Sequence, residues 1–366
     1  MKRKKRVGIL FGGRSAEHEV SLQSAKNIAG AIDKSKYETV LIGIDREGKW
    51  KYIDDPEFFG SSRGPESITL SGFNDSDAVM PYRGTDGLLC SSGGKSICRI
   101  DVIFPVLHGT FGEDGTVQGL LKLADVPFVG AGVLGSSVGM DKDVMKRLLR
   151  HASVPIPEFL IYEWTQEETV DFMEVKDRLG LPLFVKPANL GSSVGISRVG
   201  VKEDFARAVR EAFRYDSKII IEEFIDGREI ECSVLGNENP RASVPGEVKS
   251  RHEFYTYEAK YVDGKGAVLE IPARIPEEQE KKIQALAVKS FKVLCCEGMA
   301  RVDLFLKENG EAVVNEINTL PGFTNISMYP KLWEKSGLSQ TDLISILIEL
   351  AIERFKREDK LKRSYF

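Results

Sequence analysis

The first stretch of the chain leaves it few folds to choose from. Val7–Phe11 is a short apolar run that stops at Gly12-Gly13. Leu22, Ala25, Ile28, Ala29 and Ile32 then recur at helical spacing, with Ser21 placed to cap the helix N-terminus. Thr39–Ile44 is apolar again. Strand, glycine turn, helix and strand in that order open an α/β domain on a parallel sheet. At 366 residues the chain exceeds one comfortable hydrophobic core, so two or three domains are expected.

Residues 50–100 are rich in Gly, Ser, Asp and Pro, carry weak periodicity and read as an insertion with little regular structure. Val102–Leu107 resumes the sheet, Val117–Ala124 spaces as a helix and Val126–Val129 as a short strand. The glycine-rich Gly130–Gly139 stretch closes a first domain, residues 1–140. A central segment, 141–226, holds helix Asp143–Ala152, strand Leu181–Lys186, a Gly/Ser loop at Gly191–Gly195, helix Glu203–Phe213 and strand Lys218–Ile225. The last segment, 227–366, begins with strand Glu229–Leu235 and a Tyr-rich loop, Arg251–Gly266. It continues through helix Glu277–Leu294, strands Ala300–Leu306 and Ala312–Asn318, and an amphipathic helix Thr341–Phe355.

Composition excludes several classes of function. A formal net charge of -4 argues against a dedicated nucleic-acid binder. Apolar runs such as Val102–Leu107 fall far below the roughly 18 residues of a membrane helix. The basic start, Met1 to Arg6, precedes an apolar stretch too short for the roughly 7–15 residues of a secretion signal. Cys90, Cys98, Cys232, Cys295 and Cys296 are odd in number and form no CxxC pair, which points to reduced thiols in a cytoplasmic protein.

Gly130-Ala131-Gly132-Val133-Leu134-Gly135 matches G-x-G-x-x-G, but too late in the chain to open a dinucleotide domain. A helix and the Pro155–Pro157 stretch follow where a strand ending in an acid is required, so a nicotinamide reading is set aside. Gly94-Lys95-Ser96 fails as a Walker A loop because Leu89 stands where its first glycine belongs. Gly191-Ser192-Ser193-Val194-Gly195 is better placed, after a strand and Lys186-Pro187. Small residues let backbone N–H groups close on phosphate while Lys186 adds charge; an ordinary glycine hairpin is the plainer alternative.

Glu316 and Asn318, two apart on a strand, point to one face. The Asn309-Gly310 hairpin signal folds Asp303 alongside them. Three hard oxygen donors there suit Mg²⁺, and the lack of Lys or Arg on Ala312–Asn318 weakens the reading as a solvated polar face. The Gly322 N–H, in the turn that follows, and Arg301 on the adjacent strand could share a developing oxyanion. The His108–Gly115 loop leaves a strand end, where open α/β sheets line ligand crevices. His18 reads as a surface residue, and His151 and His252 carry no signal.

These segments, with Gly12 through Ser21, Met140-Asp141-Lys142, Tyr257-Glu258-Ala259-Lys260-Tyr261 and Asn315 through Thr324, run in order from about residue 7 to residue 350. Together they closely resemble the D-alanine–D-alanine ligase family. The resemblance implies an N-terminal parallel-sheet α/β domain followed by a two-lobed ATP-grasp fold of α+β type. It implies ATP-dependent joining of two D-alanines through a D-alanyl phosphate, for peptidoglycan precursors; a D-alanyl–D-lactate or D-alanyl–D-serine ligase is the alternative.

Carried over by position, Lys142 and Lys186 resemble the phosphate-contacting lysines. Glu222, Glu223, Phe224 and Ile225 resemble the adenine-reading hinge, and Glu229 the acid that holds ribose. Asp303, Glu316 and Asn318 resemble the ligands of two Mg²⁺ ions, for which Mn²⁺ can substitute. Glu17 and Ser192 resemble the residues that position the first D-alanine, with Tyr261 completing a triad from the lid loop. Arg301 and Gly322 resemble the oxyanion stabilisers, and His108, Lys260, Ser327 and Met328 the substrate pocket. Glu223 stands where some relatives carry a basic residue, and Met328 where leucine is common. D-alanine and ATP as the partners, and a homodimer, are implied with them.

Overall fold

A computed structural model describes residues 3–55, 58–60, 70, 78–79, 87–91, 94–250 and 267–362. The opening is as expected: β1 (Lys5–Gly12), α1 (His18–Ala31) and β2 (Tyr37–Ile44), with the two strands parallel and Val7 opposite Thr39. Ser21 does not cap α1; it lies inside the first turns. Its hydroxyl accepts from the Gly12 N–H at 2.7 Å and donates to the Val106 carbonyl, so the glycine turn is tied across the sheet instead. Gly12 takes φ +93°, and a Cβ there would lie 2.1 Å from the Ile44 carbonyl oxygen, so only glycine fits. His18 is buried, not superficial, with Nδ1 2.8 Å from the Gly13 carbonyl oxygen.

The 50–100 segment holds more regular structure than its composition suggests. β3 (Trp50–Ile53) extends the first sheet against β2, and β4 (Ala78–Val79), β5 (Leu88–Ser91) and β6 (Ser96–Arg99) form a small antiparallel sheet. β7 (Val102–Val106) then pairs with the other side of β1, giving the order β3-β2-β1-β7. The strand expected at Val126–Val129 shrinks to a single bridge, Phe128 to Ile103. Alternate residues of β1 feed two cores. Val7, Ile9 and Phe11 meet α1, while Leu10 packs with Ile42, Ile103 and α2 (Thr116–Leu123).

α3 (Val133–Met140) and α4 (Lys142–His151) follow, with Asp141 capping α4 by accepting from the Asp143 and Val144 N–H groups. A second sheet is antiparallel: β8 (Phe159–Glu163), β9 (Leu183–Pro187), β10 (Ser197–Val199) and β11 (Lys218–Glu223), in the order β10-β9-β11-β8. β8 and α5 (Phe172–Leu179) were not foreseen. β11 ends at Glu223, short of the expected Ile225. α6 (Lys202–Phe213) covers this sheet through Phe205 and Val209 on Val185, Ile219 and Ile221.

The third sheet contains β12 (Arg228–Gly236), β13 (Arg241–Ala242), β14 (Gly246–Ser250), β15 (Ala267–Glu270), β16 (Gly298–Leu306) and β17 (Ala312–Asn318). Its main path runs β15-β14-β12-β16-β17. α7 (Glu277–Val293) buries Ile283, Ala287 and Phe291 against Ile230, Cys232, Val302 and Leu304 on one face. An unforeseen helix, α8 (Met328–Lys335), precedes α9 (Gln340–Asp359), which is longer than the expected Thr341–Phe355.

α9 places Leu343, Ile344, Leu347 and Ile348 in the core of the first sheet, beside Val7, Ile9 and Phe11. Its Arg354, buried, donates to the carbonyl oxygens of Gly130 at 2.5 Å and Phe128 at 2.8 Å. That guanidinium fills the mouth of the G-x-G-x-x-G turn. Gly135 meanwhile lets α3 approach the Cys295 carbonyl, 2.6 Å from where a Cβ would sit. The motif serves packing. All five cysteines are free thiols.

Candidate active site

The antiparallel pairing of β16 and β17 sets Asp303 opposite Glu316 and Arg301 opposite Asn318. These four side chains share one face, while Val302, Leu304 and Ile317 go to the buried core behind. Glu231 on β12 lies opposite Asp303 and joins the same face. Three carboxylates side by side repel, and Arg301 relieves this. It forks onto Asp303 with two hydrogen bonds of 2.7 Å and stands 2.9 Å from Glu231. Lys142 at the start of α4 lies 3.6 Å from Glu316 and donates to the Leu190 carbonyl at 2.6 Å.

Asp303, Glu316 and the Asn318 amide oxygen form an open set of hard donors. Among the described residues no group of three His, Cys, Asp or Glu is arranged to hold a metal ion by itself, so the Asn318 oxygen, water and phosphate would have to complete the shell. Such an open set suits Mg²⁺, which keeps most of its ligands as water and phosphate around about one or two carboxylates. The Asn318 oxygen accepts from the Leu320 N–H at 3.0 Å and retains a second lone pair.

In the second sheet, Lys186 on β9 reaches Glu222 on β11 at 2.5 Å, and Lys146 on α4 approaches the other carboxylate oxygen at 3.0 Å. All three are buried. Burial by itself raises the Glu222 pKa, but the Lys146 and Lys186 ammoniums outweigh it and hold the carboxyl at about 2. Burial pushes Lys146 down, with Glu222 pulling the other way. Beyond the end of β11, Phe224 and Ile225 continue along the cavity wall. The Glu223 carboxylate accepts from the Glu158 N–H at 2.8 Å, which engages it with its own sheet.

The Gly/Ser loop bends sharply. Ser192 and Ser193 take φ of 52° and 61°, a left-handed conformation that costs non-glycine residues about 1–3 kcal/mol each. The bend delivers the Ser192 hydroxyl to the Glu17 carboxylate, to which it donates a hydrogen bond. Helix α1 and the loop after β7 also grip the turn that carries Gly322. The Phe323 N–H donates to Ser24 Oγ at 3.1 Å, Asn27 donates to the Phe323 carbonyl at 2.8 Å, and His108 Nδ1 lies 3.1 Å from the Leu320 carbonyl oxygen. Burial lowers the His108 pKa, which favours the neutral ring with its proton on Nδ1. Glu113 accepts from the Gly109 N–H at 2.8 Å, and burial together with the Glu17 charge pushes it well above the usual carboxylate range.

One cavity of about 430 Å³ collects these groups, the size of a small-molecule site. Glu17, His108, Lys142, Lys186, Ser192, Glu222 through Ile225, Glu229, Arg301, Asp303, Glu316, Asn318, Gly322, Ser327 and Met328 all line it. Lys260 and Tyr261, with the rest of the expected lid Arg251–Gly266, lie outside the described residues.

Sequence reasoning missed three acidic or basic partners. Glu231 alternates with Glu229 on β12, a same-face signal. Lys146 follows Lys142 by one helical turn. Glu113 sits inside the polar loop already singled out.

Comparison with known proteins agrees along the whole chain. The family described as D-ala D-ala ligase N-terminus matches residues 6–131, and D-ala D-ala ligase C-terminus matches residues 148–349. The D-alanine--D-alanine ligase of Oceanobacillus iheyensis is 54% identical over 361 residues, 99% of each chain. Among solved structures, the D-alanine-D-alanine ligase from Coxiella burnetii superposes with a TM-score of 0.86 at 42% identity, covering 98% of this chain and 96% of its own. The VanG D-Ala:D-Ser ligase from Enterococcus faecalis gives 0.84 at 37% identity, covering 95% of this chain and 100% of its own.

Proposed function

The chain belongs to the D-alanine–D-alanine ligase family, and from that premise we propose how its cavity joins two D-alanines at the expense of ATP. The enzyme is an ATP-dependent ligase that forms a carbon–nitrogen bond for peptidoglycan precursors. The observation that carries the assignment of roles is the shared face of Arg301, Asp303, Glu316 and Asn318, open to the same cavity as Lys142, Lys186 and the Glu17–Ser192 pair.

A carboxylate attacking a γ-phosphoryl group meets like charge at close range. Lys142 and Lys186 supply positive charge where the phosphates would lie. Asp303, Glu316 and Asn318 would hold two Mg²⁺ ions, or Mn²⁺ in their place, to neutralise and align the phosphate oxygens. Glu222 through Ile225 offer the edge that reads adenine, and Glu229 a carboxylate for ribose.

Glu17, steadied by Ser192, pairs with the ammonium of the first D-alanine. The carboxylate of the first D-alanine takes the γ-phosphoryl group as ADP leaves, giving D-alanyl phosphate. The neutral amine of the second D-alanine then attacks the acyl carbon, the adduct loses a proton from nitrogen, and its collapse expels inorganic phosphate. Arg301 and the Gly322 N–H face the tetrahedral oxyanion, a contribution of about 3 kcal/mol for a positioned donor. His108, Ser327 and Met328 line the substrate pocket. The family resemblance assigns Lys260 to the same pocket and Tyr261 to a water-excluding lid, and both lie outside the described residues.

The domains are taken as 1–140, 141–226 and 227–366. A cytoplasmic homodimer is the state that the family implies; no helix among the described residues is long and apolar enough to cross a membrane.

The test is phosphate release from ATP and Mg²⁺ with D-alanine, D-serine or D-lactate as the second substrate. Release that needs D-alanine and yields the dipeptide is expected. Preference for D-serine, as the name of the Enterococcus faecalis D-Ala:D-Ser ligase states for that protein, would move the assignment to that branch. Phosphate release indifferent to any of the three would overturn the ligase reading.

A further inference from the structure

Lys146 is a lysine with nothing to do in the mechanism above. Its side chain is 1% exposed, and it is not among the described residues that line the cavity. Burying an ammonium is costly unless a partner needs it. Its partner is Glu222, 3.0 Å away, whose second oxygen holds Lys186 at 2.5 Å. Among the described residues the charged groups paired with Glu222 are these two lysines, one from α4 and one from β9. Directly opposite it on the neighbouring strands stand Phe159 and Phe184. Glu316 acts on Lys146 only through space and has Lys142 3.6 Å away.

Lys186 is therefore asked to serve two anions: Glu222 when the cavity is empty, and phosphate when nucleotide enters. If Lys186 were the sole counter-charge, its departure would strand an ionised carboxylate in an apolar, buried place. Glu222 would then have to take up a proton or keep Lys186. We propose that Lys146 is a positioning residue for nucleotide binding, the standing counter-ion of Glu222 that leaves Lys186 free to turn to phosphate. The proposal rests on the nucleotide site assigned above and adds a residue that touches no substrate.

The experiment is calorimetric titration of the full chain with MgADP between pH 6 and 8, in buffers of different ionisation heat, so that proton uptake is read directly. The parent is expected to bind without uptake at this site. Lys146→Met is expected to bind with uptake of up to one proton, its Kd weakening by as much as about tenfold per pH unit as pH rises. Lys146→Arg restores the parent behaviour. Lys146→Met combined with Glu222→Gln removes the carboxylate that would be stranded and leaves Lys186 facing the cavity it lines. It folds even if Lys146→Met alone does not, and whatever MgADP affinity survives the change at this adenine-edge residue carries no proton uptake.

Lys146→Met with parent affinity and no proton uptake overturns the proposal, as does a double variant that still takes up the proton or fails to fold. A parent that does not bind MgADP at all instead overturns the nucleotide site beneath it.

Discussion

Replacing Arg354 with methionine tests how firmly the last helix is fastened to the first domain. The guanidinium donates to two carbonyl oxygens, at 2.5 and 2.8 Å, and lies over the Phe128 ring at 4.5 Å. Hydrogen bonds from a charged donor contribute about 1.5–3 kcal/mol each, and a desolvated cation over an aromatic ring about 1–2 kcal/mol more. Against this stands the cost of burying the cation, visible in the lowering of the Arg354 pKa by desolvation. Methionine keeps the apolar stem in place and removes that cost, but it leaves the Phe128 and Gly130 carbonyls without their donor. The balance is a loss of about 3 kcal/mol.

Urea unfolding followed by tryptophan fluorescence measures it, since Trp333 is buried in the core that α9 completes. Arg354→Lys keeps the charge but not the fork and recovers about half. A loss below about 1 kcal/mol for the methionine variant, or full recovery by lysine, would refute the reasoning.

Two further outcomes are expected. Glu222 has a folded-state pKa of about 2 against an ordinary 4.5, so its ionised form contributes stability that is present in full above pH 4.5 and lost as pH falls through about 2. The contribution is about 3 kcal/mol, and acid titrations of unfolding should show this slope in the parent and not in Glu222→Gln; parallel curves would contradict it. Asn27→Ala removes the 2.8 Å tie to the Phe323 carbonyl and loosens the turn that presents Gly322. It should lower kcat about tenfold while changing the KM for ATP less than twofold, and an unchanged kcat would count against the clamp.

Part of this site could be read before any coordinates, because strand periodicity puts Glu316 and Asn318 on one face and the Asn309-Gly310 hairpin sets β16 beside β17. The hairpin register alone would set Asp303 opposite Asn315; an irregularity between Asp303 and Leu304, which no sequence signal announces, shifts it to Glu316. Gly191–Gly195 and Lys186 were legible for a similar reason, lying at the end of an apolar strand.

What escaped was set by contacts distant in sequence. Ser21 looks like a cap until Gly12 and Val106 claim its hydroxyl. His18 looks exposed until the glycine turn folds over it. Lys146 belongs, by composition, on the wet side of an amphipathic helix, and only the buried carboxylate of Glu222 draws it inward. β8 follows two prolines that mask its apolar run, and β3 lies at the edge of a segment whose average composition hides it.

The place of α9 carries a consequence for how the molecule is made. Strands Lys5–Gly12 and Tyr37–Ile44 are translated long before Leu343, Leu347 and Ile348, which finish covering them. Until those residues emerge, the parallel sheet must wait half-roofed. Its completion is set by a helix made far downstream of it.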